Sequence, residues 1–134
     1  MTPQASTSFL ISFVLLSFSG WTSLVHAENQ PNLRKAMSLH PVQKSVDYEI
    51  PDRTILAQCK IETYTMNSEA GWIVRHPAGY LLRRFLDTNA DKIVDQWSYY
   101  RDGLEIYRDL DTNFNNRADQ YRWFNQGGTR WGID

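Results

Sequence analysis

The chain has 134 residues, 14 Lys and Arg against 15 Asp and Glu, and one cysteine. That length suits a single domain. A formal net charge of −1 gives no electrostatic reason to expect nucleic acid or a polybasic attachment to membrane, and a lone cysteine excludes an intrachain disulfide framework.

Residues 1–27 read as a secretory signal peptide. The apolar run Phe9–Phe18 is too short to span a bilayer, and no Asp, Glu, Lys or Arg precedes Glu28. Val25-His26-Ala27 sets up cleavage after Ala27. The region before the run has no Lys or Arg, so only the amino terminus supplies its positive charge. A short membrane-anchoring helix is the competing reading. An amphipathic helix fits poorly, because the segment is apolar all round. The expected location is outside the cell, in the periplasm or in the cell envelope, with no transmembrane helix in the mature chain. Export leaves Cys59 as a small buried residue or one half of an intermolecular disulfide.

Residues 28–53 form a polar linker punctuated by Pro31, Pro41 and Pro51, either disordered or an arm lying against the domain. Residues 54–134 are the expected β-repeat domain. Asp52 is placed to cap one short helix from about Arg53 to Glu62, although Thr63-Tyr64-Thr65 already reads as strand. Segment 63–71 resembles a degenerate copy of the acidic loops that follow.

From Gly71 onward a 24-residue period governs the chain: Gly79, Gly103 and Gly127 recur in phase, as do Ile73, Trp97 and Tyr121, and Arg83, Tyr107 and Trp131. The repeats run over about 71–94, 95–118 and 119–134. Asp102-Gly103 between alternating runs predicts a two-residue hairpin with positive φ at both positions. The fold class is therefore mainly β: an antiparallel up-and-down meander of about six strands, at 72–76, 80–86, 95–101, 104–110, 119–125 and 129–133. Glycine turns join the strands at one end and acidic loops at the other. Repeats of this kind bury apolar surface by stacking on their neighbours. Ile133-Asp134 occupies, with a one-residue deletion, the slot of Leu86-Asp87 and Leu110-Asp111. A third acidic loop would open there, as in a truncated or once longer array.

The acidic loops carry the chemistry. Asp87, Asn89, Asp91 and Asp95 stand at loop positions 1, 3, 5 and 9, and Asp111, Asn113, Asn115 and Asp119 repeat that spacing. The carbonyls of Ile93 and Arg117 sit at position 7. Calcium takes six to eight oxygens and tolerates irregular geometry. Three carboxylates in the first loop repel one another by on the order of 0.8 kcal/mol per pair at ~5 Å in a water-like dielectric, and a bound dication removes that repulsion. The second loop has two carboxylates and the same spacing. Asp, Asn and Thr also form Asx turns without any metal, which is the structural alternative.

The D-x-N-x-D-x-x-x-D pattern of Asp87–Asp95 resembles the calcium loops of integrin-type β-propellers and, less closely, those of dockerins and EF-hands. The resemblance covers about nine residues per loop and implies a calcium ion held between strands. Those families favour glycine at position 6, where this chain has Lys92 and Asn116, and an EF-hand wants Glu at position 12, where Ser98 and Arg122 stand. A helix–loop–helix EF-hand is therefore rejected, and the expected affinity is weak, roughly 10⁻⁴–10⁻³ M. The longer string from Arg84-Phe85-Leu86-Asp87 to Thr129-Arg130-Trp131-Gly132 is similar to uncharacterised secreted repeat proteins of planctomycete-type bacteria. That likeness covers most of 38–134 and implies export and a repeat domain.

Three functions compete. The first is a calcium-stabilised exported scaffold or interaction domain without catalysis, its partner a cell-wall polysaccharide or another envelope protein. The second is a glycan or cell-wall binding module using Trp97, Tyr99, Tyr121 and Trp123, loosely resembling the aromatic-glycine repeats of choline- and glucan-binding modules; burial of these rings in the core is the structural alternative. The third is an enzyme, which the sequence disfavours. After processing only His40 and His76 remain, neither in a nucleophile or zinc motif. The regular Asp spacing fits cation binding better than a glycosidase dyad.

Overall fold

A computed structural model describes residues 32–125 and 128–133. The expected signal peptide, the start of the linker and the Gly127 turn lie outside the described residues. Among the described residues two short helices precede seven strands: α1 (Leu33–Met37), α2 (Arg53–Leu56), β1 (Lys60–Met66), β2 (Glu69–Arg75), β3 (Leu81–Asp87), β4 (Gln96–Arg101), β5 (Leu104–Leu110), β6 (Gln120–Asn125) and β7 (Gly128–Ile133). They form one antiparallel sheet in the order β1-β2-β3-β4-β5-β6-β7. The mainly β up-and-down meander expected from the repeat is the architecture, with one strand more than the six read from the sequence.

The extra strand is β1, and it corrects two expectations. Asp52 does cap a helix, its Oδ1 accepting from the Ile55 amide at 2.9 Å, but α2 stops at Leu56 instead of running to Glu62. Ile61, Thr63 and Thr65 are β-branched and alternate, and they pair with Val74, Trp72 and Ala70 of β2. Segment 63–71 is accordingly a hairpin and not a degenerate acidic loop. It turns at Asn67, whose φ is 56°. Helix α1 arises inside the stretch read as linker; Asn32 caps it by accepting from the Arg34 amide at 2.8 Å.

At the far end of the sheet, Asp102 and Gly103 have φ of 49° and 75°, the paired left-handed geometry expected of the hairpin. Register then sorts the faces. Trp72, Phe85, Trp97, Asp109 and Tyr121 stand side by side across β2 to β6. So do Val74, Arg83, Tyr99, Tyr107 and Trp123 one step further along. Both rows belong to one face. The opposite face carries the row Ile73, Arg84, Ser98, Arg108 and Arg122, with Glu105 bridging Arg84 and Arg108.

The aromatic face is the core. Ala36, Cys59, Val74, Leu82 and Phe85 form one buried cluster, with Leu33, Met37 and Ile55 from the helices packed on it. Tyr99, Tyr107 and Tyr121 form a second, covered by Val46 and Tyr48. Burial of each large apolar side chain contributes about 2 kcal/mol. The two clusters are shaped by bulges that obey the repeat. Pairing shifts between Val74 and Arg75 make Leu82 the extra residue of β3, and a shift between Tyr99 and Tyr100 makes Ile106 the extra residue of β5. Both turn into a core cluster.

Residues 38–50 form a strap over this face. Its backbone is tied down by Val42 N–H to Asp109 Oδ2 (3.1 Å), Gln43 N–H to the Tyr107 hydroxyl (3.3 Å) and Glu49 N–H to the Tyr100 carbonyl (2.9 Å). Arg83, 1 % exposed, donates from Nη2 to the Glu49 carbonyl at 2.9 Å and lies against the rings of Tyr48 and Tyr99, at 4.6 and 5.4 Å. Of the two states open to the linker, this part takes the second, an arm lying against the domain.

One backbone contact allows a direct test. A Cβ on Gly71 would stand 1.9 Å from the Phe85 carbonyl oxygen of the neighbouring strand, and a strand backbone cannot yield that far. Gly71→Ala is expected to cost about 3 kcal/mol of unfolding free energy in a urea titration; a loss below about 1 kcal/mol would show that β2 and β3 do not approach as closely as described.

Candidate functional site

The two acidic loops lie at one end of the sheet, between β3 and β4 and between β5 and β6. They are linked by the Asp111 amide, which donates to the Asp95 carbonyl at 2.8 Å. Each loop is closed by the same bonds. Asp87 accepts from the amides of Asp91 (3.3 Å) and Lys92 (2.7 Å); Asp111 accepts from those of Asn115 (3.1 Å) and Asn116 (2.6 Å). Asn89 and Asn113 accept from the amide two residues on, and so do Asp91 and Asn115. At position 9, Asp95 and Asp119 each accept from the amide and the hydroxyl of Thr88 and Thr112.

Each loop therefore uses its oxygen donors to hold its own backbone, as Asx turns do. The conformation is strained in both copies at the same places. Ala90 and Lys92 have φ of 64° and 70°, and Phe114 and Asn116 have 58° and 68°. Asn tolerates that region, while Lys and Phe pay more for it. Asp87, Asp95 and Asp111 are buried, whereas Asn89, Asp91, Asn113 and Asn115 are exposed. Ile93 is 48 % exposed, so its carbonyl belongs to an open stretch of the loop. Among the described residues, no three His, Cys, Asp or Glu side chains form a group able to hold a metal ion. A cation here would draw on the Asn oxygens and the position-7 carbonyls as well as on carboxylates.

The aromatic residues fall into two kinds. Tyr99 and Tyr121 are 1 % and 3 % exposed and belong to the core cluster with Tyr107. Trp97 and Trp123 are half-buried; Trp123 packs edge-on against Tyr107, ring centroids 5.2 Å apart. Trp97 borders open space on two sides. It lines a cleft of about 390 Å³ between the strap and the sheet, together with Leu39, His40, Val42, Asp109, Arg117 and an edge of Tyr99. A second cleft of about 270 Å³ lies under α1, lined by Ala36, Trp72, Phe85 and Val94 and again by Leu39 and Trp97.

Asp109 is the site residue that pattern reading passed over. It is 2 % exposed, accepts from the Tyr107 hydroxyl at 2.5 Å and from the Val42 amide, and lines the larger cleft. Burial raises its pKa above the ordinary carboxylate value, against the two hydrogen bonds, which lower it. Burial also pushes the Tyr107 hydroxyl up, with help from the bond to Asp109. A carboxyl on the face that alternation assigns to Tyr107 and Trp97 was the available signal. His40, read as part of a linker, reaches the rim of the cleft, its Nδ1 2.6 Å from the Tyr48 hydroxyl. His76 stacks on Tyr80 at the opposite end of the sheet.

Comparison with protein-family models, with curated proteins and with solved structures finds no match to this chain. Among the described residues, no helix is long and apolar enough to cross a membrane.

Asp109 makes stability depend on pH in a definite direction. With the folded-state pKa raised, both states are protonated below the ordinary value of 3.8, and stability is greatest there as far as this group is concerned. As pH rises the unfolded chain releases its proton first, so stability falls until the pH passes the folded-state value and is level beyond it. Asp109→Asn keeps both hydrogen bonds, because a tyrosine hydroxyl can accept as well as donate. The melting temperature of the Asn variant relative to wild type should therefore climb over the range of pH above the ordinary carboxylate value of 3.8. A difference that stays constant across that range would mean that Asp109 does not feel its burial.

Proposed function

We propose that the chain is an exported, non-catalytic β-repeat interaction domain whose acidic loops bind calcium weakly and so order one end of its sheet. The observation that carries this reading is the recurrence of one strained loop conformation at a spacing of 24 residues, closed by equivalent hydrogen bonds although position 5 changes from Asp91 to Asn115 and the residues at positions 4 and 6 differ. In the first loop Asp87, Asn89, Asp91, Asp95 and the Ile93 carbonyl would hold the ion; in the second, Asp111, Asn113, Asn115, Asp119 and the Arg117 carbonyl. A carboxylate has about four acceptor sites, so amide bonds leave lone pairs for a cation. A bound dication would offset both the repulsion among the carboxylates and the backbone strain. Because so many donors are already committed to the backbone, the affinity belongs at the weak end of the calcium range.

At ~1 mM calcium and a Kd of ~0.1 mM, one site adds about 1.4 kcal/mol to stability. For a domain of this size that raises Tm by about 8 °C. Melting the mature chain with excess calcium and then with EDTA is expected to show this shift, and Asp91→Asn should reduce it, leaving the part that an Asn at position 5 supports as in the second loop. Superimposable melting curves in the two conditions would leave the loops as plain backbone-closed turns and end the calcium reading.

A further inference from the structure

We infer that the cleft between the strap and strands β4 and β5 is a carbohydrate site, taking a neutral one- or two-ring sugar on Trp97 with its hydroxyls directed to Asp109. This stands apart from the calcium reading and does not require it. It gives the glycan alternative a place, with Trp97 as the ring that touches ligand and Tyr99 and Tyr121 as the core that supports it.

The cleft has the size of a small-ligand site, about 390 Å³. Its walls are mostly apolar, and Trp97 borders open space on this side and in the second cleft. A half-buried indole that borders two openings is a platform for the C–H face of a sugar ring. The polar groups narrow the class. Asp109 accepts two hydrogen bonds from the protein, and two of its acceptor sites remain. Asp109 is already almost fully buried, so a hydrocarbon chain leaves its remaining lone pairs without donors, whereas a sugar supplies O–H groups to them. A cationic ligand would also suit a carboxylate beside aromatic rings, but Arg117 and His40 line the same cleft, and Arg117 forms no ion pair among the described residues. Hydroxyls satisfy both kinds of group: they donate to the carboxylate and accept from the guanidinium and the imidazole.

The strap makes the site adjustable without loosening the fold. Leu39, His40 and Val42 project from the part of the strap whose bonds to the sheet, at Val42 and Gln43, run through its backbone amides. Val42 is 58 % exposed, so a larger side chain there fills the cleft while the core stays as it is.

The test uses the whole mature chain with cellobiose, maltose and N,N′-diacetylchitobiose as probes and hexadecanoate as the hydrocarbon contrast. Binding is followed by tryptophan fluorescence and by the indole N–H shift of Trp97 in a proton–nitrogen NMR spectrum. At least one disaccharide should give a saturable response with a Kd on the order of 1 mM, displacing the Trp97 signal. Val42→Trp should weaken it by about tenfold or more with an unchanged melting temperature. If Val42→Trp fails to fold, His40→Ala is expected to weaken the same sugar by about threefold. No response to any of the three sugars up to about 50 mM, a response that leaves the Trp97 resonance in place, or saturation by hexadecanoate alone would overturn the proposal.

Discussion

A guanidinium without a carboxylate partner holds the covered face together. Among the described residues, no acidic side chain pairs with Arg83. Its charge is met by two tyrosine rings and by the carbonyls of Leu82 and Glu49, and burial holds its pKa down to about 10. It therefore remains charged at neutral pH, and the cost of burying it is offset only while Tyr48 and the Glu49 carbonyl stay in place. The same charge that would be ruinous on a bare sheet is what keeps the strap down. Glu49 reinforces the point through its side chain, accepting from the Tyr80 hydroxyl at 2.8 Å and from the Asp102 amide at 3.0 Å. Without the strap, Val46 and Tyr48 leave the second core cluster, and Leu39, His40 and Val42 leave the cleft.

The repeat explains why a charge sits there at all. Arg83, Tyr107 and Trp131 are equivalent by the 24-residue period. The later copies put aromatic residues where the first copy puts a cation. Leu82 and Ile106 are equivalent too, and both are the extra residue of a bulge. Bulges at the same phase increase the local twist of the sheet in the same sense, so successive hairpins present the aromatic face to one strap instead of fanning away from it. The repeat sets the frame, and differences between copies at a few face positions set the charges.

How much of this could be read from residues alone follows from what each signal depends on. The hairpins after Gly71 were legible because alternation, paired turn residues and a strict period are local; five strands were placed within a residue, and the first began three residues late. The loops were legible as recurrent oxygen donors, yet spacing does not tell whether an oxygen faces a cation or its own backbone amide; in both loops the amides take several of them. Strand β1 was obscured because Asp52 announces a helix and Ile55, Leu56 and Cys59 sustain the pattern for a few residues, after which β-branched residues and the pairing with β2 prevail. The strap was invisible in kind. A polar, proline-punctuated segment has no periodicity to read, and its anchors are backbone groups meeting side chains more than 50 residues away.

The two buried polar groups of the aromatic face, Arg83 and Asp109, act as a pair without touching. Arg83 engages a strap carbonyl at Glu49, and Asp109 engages a strap amide at Val42. Donor meets acceptor at one end and acceptor meets donor at the other, so the strap can lie on the sheet in only one direction and one register. Because both contacts are to backbone, they place no demand on the strap's own side chains between residues 39 and 42. That separates the requirement for folding from whatever the cleft selects. The face positions of the sheet must keep a donor at Arg83 and an acceptor at Asp109 to hold the strap, while Leu39, His40 and Val42 on the strap side of the cleft can change. A cleft bounded on one side by such a segment can alter its specificity with little effect on stability, which a cleft built wholly from strand residues could not do.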